Sequence, residues 1–308
     1  MTALRLRVAM SLLVCVLATL SAPVLAARPI DQAGWAERKR QVTLPNGTRL
    51  AYVELGDPAG PPLLLLHGYT DTSRVWTMLA PQLQRHRILI PDQRGHGASD
   101  APACCYALAH FVDDARLFLD AMGIERAAIA GHSLGSLVAM QLAADHPDRV
   151  DRLVLIGSTA LVPVRRGDPF WALIMGLRAP IDSNHEFLRQ WSPSASPTPV
   201  DPALARSIDA EIRAVPPHVW RAVIRELADL PAGRHAADIR APVLILSGGR
   251  DEIFPAEHHA ALVAAFPNAE AHVFADLGHN LVYERPEQVG PVLARFLEGS
   301  WPGPSAAD

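Results

Sequence analysis

A serine hydroxyl becomes a useful nucleophile only beside a base, and one serine of this chain stands in a setting suited to that use. Ala127-Ala128-Ile129-Ala130 reads as a buried strand and runs into Gly131-His132-Ser133-Leu134-Gly135, after which Ser136-Leu137-Val138-Ala139-Met140 opens a helical pattern. A one-residue turn from strand to helix forces Ser133 into a strained backbone, asks for glycine on both sides, and leaves Oγ exposed at the helix N-terminus. The matching base is His279, in the loop Gly278-His279-Asn280 beyond a late strand. The acid is Asp251, five residues past Leu246 at the C-terminal end of a parallel strand, where ligand sites of such sheets gather. Its role is to hold the His279 tautomer and stabilise the imidazolium. Asp276 is read as a turn former and Asp92 as a partner for Arg94 or the local backbone. His132 is read as a packed neighbour of the nucleophile, and His96 in Arg94-Gly95-His96-Gly97 as structural.

These residues need a scaffold, and the hydrophobic pattern supplies one. Short apolar runs at 49–55, 63–66, 87–90, 127–130, 152–156, 243–246 and 271–274 read as strands, most of them buried on both faces. Segments 75–83, 111–122, 134–145, 256–266 and 286–297 space their apolar residues as amphipathic helices do. Strand alternating with helix predicts an α/β fold with a mostly parallel sheet flanked by helices. The alternation stops between Ser158 and Ile239, which predicts a helical cap over 159–238 inserted into a core of 28–158 and 239–298. The cap contains the Pro/Ser-rich stretch Ser192 to Pro199, expected as a flexible loop, and residues 299–308 are expected as a flexible tail.

The chain resembles the α/β-hydrolase family from about Val42 to Leu297. The likeness is carried by Leu63-Leu64-Leu65-Leu66-His67-Gly68-Tyr69, Pro91-Asp92-Gln93-Arg94-Gly95-His96-Gly97-Ala98-Ser99-Asp100, the turn Gly131 to Gly135, Gly248-Gly249-Arg250-Asp251 and Gly278-His279-Asn280, in the family's order. The resemblance implies an oxyanion hole made by the backbone N–H groups of Tyr69 and Leu134, with His67 and Gly68 shaping the first loop. A serine at the turn sets the chain apart from the family's dehalogenases and epoxide hydrolases, which carry aspartate there. The implied reaction is cofactor-free hydrolysis of a carboxylic ester or lactone through an acyl-enzyme on Ser133, in the serine esterase class. The alternatives are a perhydrolase or carbon–carbon bond hydrolase with the same triad, and a non-catalytic binding protein on the same fold.

Substrate contacts are expected from Tyr69 and from the cap residues Trp171, Trp191 and Trp220, which suit a small apolar ester or lactone; Phe170, Met175, Leu177 and Phe187 could line the same pocket, although most of these cap residues are expected to pack the cap onto the core. Lys39 is the only lysine, which disfavours Schiff-base and P-loop chemistry. With 28 Lys plus Arg against 32 Asp plus Glu, and no long basic run, nucleic acid is not an expected partner. The 13 histidines show no paired metal-ligand spacing, so no metal is expected.

Arg5 and Arg7, the apolar run Val8 to Leu20, Pro23 and the small residues up to Ala26 read as a cleavable secretory leader over 1–26. The mature chain is therefore expected in the periplasm or the medium, without stable membrane insertion after cleavage. Export leaves Cys104 and Cys105 as the two remaining cysteines, and in an oxidising compartment neither has another intramolecular partner. A bond between these neighbours is expected, strained because adjacent Cα atoms lie about 3.8 Å apart, below the usual disulfide range.

Overall fold

The computed structural model describes residues 30–299 apart from Ser183 and Asp229. The expected leader, and the expected tail beyond Gly299, lie outside the described residues. Eight strands form one sheet: β1 (Arg40–Thr43), β2 (Arg49–Gly56), β3 (Pro62–Leu66), β4 (Arg87–Pro91), β5 (Ala127–His132), β6 (Val150–Ile156), β7 (Val243–Gly248) and β8 (Glu270–Phe274), in the spatial order β1-β2-β4-β3-β5-β6-β7-β8. β2 pairs antiparallel with both β1 and β4, and every other pairing is parallel. The seven runs read as strands all form strands. β1 escaped that reading because three of its four residues are polar and exposed, and Val42 alone makes no apolar alternation.

Leu63, Leu64, Leu65 and Leu66 are all buried, as a central parallel strand covered on both faces requires. Each such side chain contributes roughly 1.5–3 kcal/mol of transfer free energy. Helix α1 (Leu108–Ala121) packs on α2 (Leu134–Asp145), which lies across β5 and β6 and buries residues around its whole girth. A helix that is apolar all round is fixed by its surroundings rather than by one stripe, so the helix starting at Ser133 is held on several sides. Segment 75–83 corrects its helical reading: it holds two 3₁₀ turns, Ser73–Trp76 and Ala80–Leu83. Pro81 has no N–H for the carbonyl four residues back, so an α-helix cannot run through it.

Between β6 and β7 the chain builds the cap from α3 (Pro169–Gly176), α4 (Glu186–Trp191), α5 (Pro202–Ala214) and α6 (Pro217–Leu227). Its centre is aromatic: the Phe187 ring stacks on Trp191 at 5.0 Å and meets Trp220 edge-on at 4.5 Å. The Ser192 to Pro199 stretch is tied down, contrary to the expected flexible loop. Ser192 caps the short turn Pro193–Ala195, and Thr198 Oγ1 donates to Glu284 at 2.8 Å. After β7 come α7 (Ala256–Ala265), α8 (Leu281–Glu284) and α9 (Pro286–Leu297). No described helix is long and apolar enough to cross a membrane.

Candidate active site

β5 ends and α2 begins at Ser133, whose φ of 51° and ψ of −118° are strained for a residue with a side chain, at a cost of about 1–3 kcal/mol. The flanking glycines permit the turn through close packing. A Cβ on Gly131 would stand 2.2 Å from the Gly135 carbonyl oxygen, and one on Gly135 would stand 2.2 Å from that of Leu66. The second approach brings the loop after β3 against the first turn of α2. Ser133 N–H donates to the Ile156 carbonyl at 3.0 Å, which anchors the turn to β6.

His279 Nδ1 lies 2.8 Å from Asp251 Oδ2, so the neutral ring donates there and presents Nε2 as a base. The other carboxylate oxygen accepts from Ile253 N and Phe254 N, each at 2.9 Å, which fixes the plane of Asp251. Burial alone would raise this carboxyl, but the His279 ring and these hydrogen bonds outweigh it and hold Asp251 below the usual carboxylate value. His279 Nε2 is buried with no hydrogen-bond partner among the described residues, and it shares a small chamber with Ser133. A loose Ser–His contact that tightens around substrate is common in unliganded sites. Asp276, the competing acid, sits in an exposed turn, and the His279 ring pairs with Asp251 instead.

The loop from His67 to Asp71 is locked by two neutral imidazoles. His67 Nδ1 faces its neighbour's carbonyl, Gly68 O, at 2.8 Å, while Nε2 accepts from Gln93 N at 2.8 Å. His96 Nδ1 faces Arg94 O at 2.8 Å and Nε2 accepts from Thr70 N at 3.2 Å. Each ring therefore carries its hydrogen on Nδ1, and protonating Nε2 would break a backbone bond. Burial pushes both pKa values down, that of His96 to about 3. The lock sets the loop that carries Tyr69, and the N–H groups of Tyr69 and Leu134, expected from the sequence as oxyanion donors, have no acceptor among the described residues.

Asp92 binds local backbone, one of its two expected roles, but not Arg94. Its carboxylate pairs with Lys39 at 2.7 Å and accepts from Ser73 N and Ala98 N, whereas Arg94 pairs with Asp114 through two bonds of 2.6 and 2.7 Å. The single lysine is thus structural. Cys104 and Cys105 lie on the exposed turn just before α1, Cα atoms 3.8 Å apart with their sulfur atoms against one another, and Arg94 Nη1 donates to the Cys105 carbonyl at 2.6 Å. No cluster among the described residues has the makings of a metal site.

Ser133 opens on an apolar cavity of about 480 Å³ between core and cap, walled by Leu137, Val164, Phe170, Trp191, Ile224 and Phe254 among others. Its volume is in the range of small-molecule sites. Tyr69 and Trp191 reach it as expected. Trp220 does not: fully buried, it packs edge-on beneath Tyr69 at 5.7 Å, and its carbonyl accepts the Tyr69 hydroxyl at 2.8 Å. Trp171 is also absent from the wall, sitting one position round α3 from Phe170 with the Arg166 guanidinium over its ring. Phe170, one of the cap aromatics that could line a pocket, does so; the sequence reading missed Ile224 of the cap and Phe254 of the loop after β7, because nothing in the sequence tells which apolar residues face a cavity until the packing is known. It also missed Asp71, although an acid four residues after His67 in the oxyanion loop was a visible signal.

Residues 61–286 match the family described as alpha/beta hydrolase fold. The chain is 30% identical over 250 residues to a 2-hydroxymuconate semialdehyde hydrolase of Pseudomonas putida, covering 77% of this chain and 87% of that relative. A solved hydrolase of Pseudomonas aeruginosa superposes with a TM-score of 0.75 at 29% identity, covering 84% of this chain and 98% of the other. A candidate aryl esterase of Burkholderia cenocepacia gives a TM-score of 0.74 at 25% identity, covering 85% and 99%. Strand order, turn geometry and family match agree, and the chain belongs to the α/β-hydrolase family.

Proposed function

We propose that this chain hydrolyses uncharged carboxylic esters or lactones through an acyl-enzyme on Ser133. The observation that carries the reading is the His279–Asp251 hydrogen bond beside a strained serine at the floor of an apolar cavity. Ser133 Oγ attacks the carbonyl carbon as His279 Nε2 takes its proton, and Tyr69 and Leu134 N–H groups receive the oxyanion. The C–O bond to the alcohol breaks, and His279 returns the proton to the leaving oxygen. Water then attacks the acyl-enzyme, gives a proton to His279, and frees the acid and Ser133. All the chemistry lies in the chain's own groups.

The lining favours this reading over carbon–carbon cleavage. The charged residues on the cavity wall are Asp168 and Glu252, both acidic, and a carboxylated ring-cleavage product would meet repulsion there. A panel of p-nitrophenyl esters of increasing acyl length, run beside a ring-cleavage dienoate, tests the assignment. Ester turnover lost in Ser133→Ala is expected; dienoate turnover exceeding that of every ester would overturn it. The proposal extends to export: the order of Arg5 and Arg7, apolar run and Ala26 supports a mature chain freed of 1–26 in the periplasm or medium, with Cys104 and Cys105 oxidised to each other. N-terminal sequencing giving Ala27 or Arg28, and an unreduced, denatured chain that takes up no alkylating agent at these cysteines, are the expected results.

A further inference from the structure

Adjoining the apolar cavity, and sharing Tyr69, Ser133, Gln190, Trp191 and Ile253 with its wall, lies a second, polar chamber of about 40 Å³, room for two or three water-sized atoms. Ser133 and His279 both border it; His279 does not border the large cavity, and the other cleft that His279 borders, beside Arg250 and Glu252, does not reach Ser133. The group that returns a proton to the leaving alcohol must touch that alcohol, so in the ester reading, on which this inference rests, the acyl chain takes the large cavity and the alcohol takes the chamber.

The chamber's polar groups set what the alcohol carries. His132 Nε2 lies 3.0 Å from the His279 carbonyl, which only accepts, so Nε2 bears the hydrogen and Nδ1 of the neutral ring is a bare acceptor. That Nδ1 is buried and has no partner among the described residues. Asp71 Oδ2 faces it from 3.7 Å, beyond hydrogen-bond reach, and the Asp71 carboxylate accepts no hydrogen bond from any described donor. A Cβ added to Gly68 would stand 2.6 Å from Asp71 Oδ2, 3.2 Å from His132 Nδ1 and 3.2 Å from Ser133 Cβ, so these acceptors crowd the nucleophile itself. No Lys or Arg lines the chamber. Burial, reinforced by the Asp71 charge, pushes the Tyr283 phenol well above 10, so that wall stays neutral.

Asp71, mostly buried, and the buried His132 Nδ1 are acceptors that face each other with no protein donor between them among the described residues, so a donor from solvent or substrate is favoured there. We propose that the chamber is a subsite for a short hydrogen-bond-donating group on the leaving alcohol, a hydroxyl two carbons from the ester oxygen, held by Asp71 and His132 Nδ1. The substrate class is then the monoester of a small diol or triol with an apolar acid.

The test compares three butyrate esters: 2-hydroxyethyl, which donates; propyl, which replaces the hydroxyl by methyl; and 2-methoxyethyl, which keeps the inductive pull without the donor. For the unaltered protein, kcat/KM for the 2-hydroxyethyl ester should exceed both others by about tenfold, the effect of one hydrogen bond to a charged group. In Asp71→Asn and in His132→Phe the ratio should fall to within about twofold of one. Ratios are read within each protein, so a general loss of activity or folding cancels. A ratio of one or below in the unaltered protein, or a ratio that survives both substitutions, overturns the subsite. Fluorophosphonate labelling of Ser133 and turnover of p-nitrophenyl butyrate are read alongside: failure of both defeats the ester reading, while success of both with a ratio of one defeats the subsite alone.

Discussion

The loops at the ends of the core strands and the cap above them solve opposite problems. In the core loops every reactive group is fixed by directional bonds: Asp251 is held by two backbone N–H groups and by His279, and the oxyanion loop by two imidazoles of set tautomer. The cap meets them mainly with apolar surface, where Phe187, Trp191 and Trp220 pack by area and shape. Directional bonds hold atoms in one geometry, which catalysis requires, whereas apolar packing tolerates change and suits a wall that selects by size.

The largest effects should therefore come from the core. Ser133→Ala and His279→Ala should each lower kcat for a p-nitrophenyl ester by about 10⁶-fold, and Asp251→Asn by about 10⁴-fold, with circular dichroism unchanged. Equal and small losses in all three would mean that these residues do not act as a unit.

That asymmetry also governs what the sequence disclosed. Ser133, His279 and Asp251 were legible because the strand-to-turn-to-helix context and the strand ends constrain where such groups can sit. Seven strands were legible because parallel strands buried on both faces are continuous apolar runs. The partner of Asp92 was not, since Lys39 reaches it from a segment 53 residues away with no local signal. Trp171 and Trp220 were read as wall residues because an aromatic on a cap helix carries no mark of the direction it faces. Asp71 passed unread because its meaning depends on His132, brought beside it only by the fold.

The second effect separates the regions by pH. His96 falls from 6.5 to about 3 on folding, so the unfolded chain binds the proton first as pH drops. Stability is full above about pH 6.5 and is lost towards the folded value, by about 2 kcal/mol at pH 5 from His96 alone. His67 adds in the same direction. The lowered Asp92 and Asp251 carboxyls act only below about pH 4, where their stabilisation is lost as pH falls through their folded values. Urea unfolding at pH 7.5 and 5 measures this, and His96→Gln should flatten the difference; an unchanged slope would contradict the neutral lock.

Smaller effects belong to the cap. Trp191→Ala enlarges the cavity and should shift acyl preference towards longer chains, changing the ratio of octanoate to acetate turnover by about tenfold. No change in that ratio would remove Trp191 from the acyl wall. Asp168 caps α3 by accepting from Trp171 N at 2.6 Å, and Asp168→Ala should cost about 1 kcal/mol in thermal or urea unfolding. A loss of several kcal/mol would show that the cap is built by directional bonds after all.

The central claim is that Ser133 carries the acyl group. The direct measurement is the intact mass of the protein after treatment with a fluorophosphonate, followed by peptide mapping. One adduct on the peptide containing Ser133, absent in Ser133→Ala, is the predicted result; an adduct on another residue, or labelling that persists in Ser133→Ala, would contradict it.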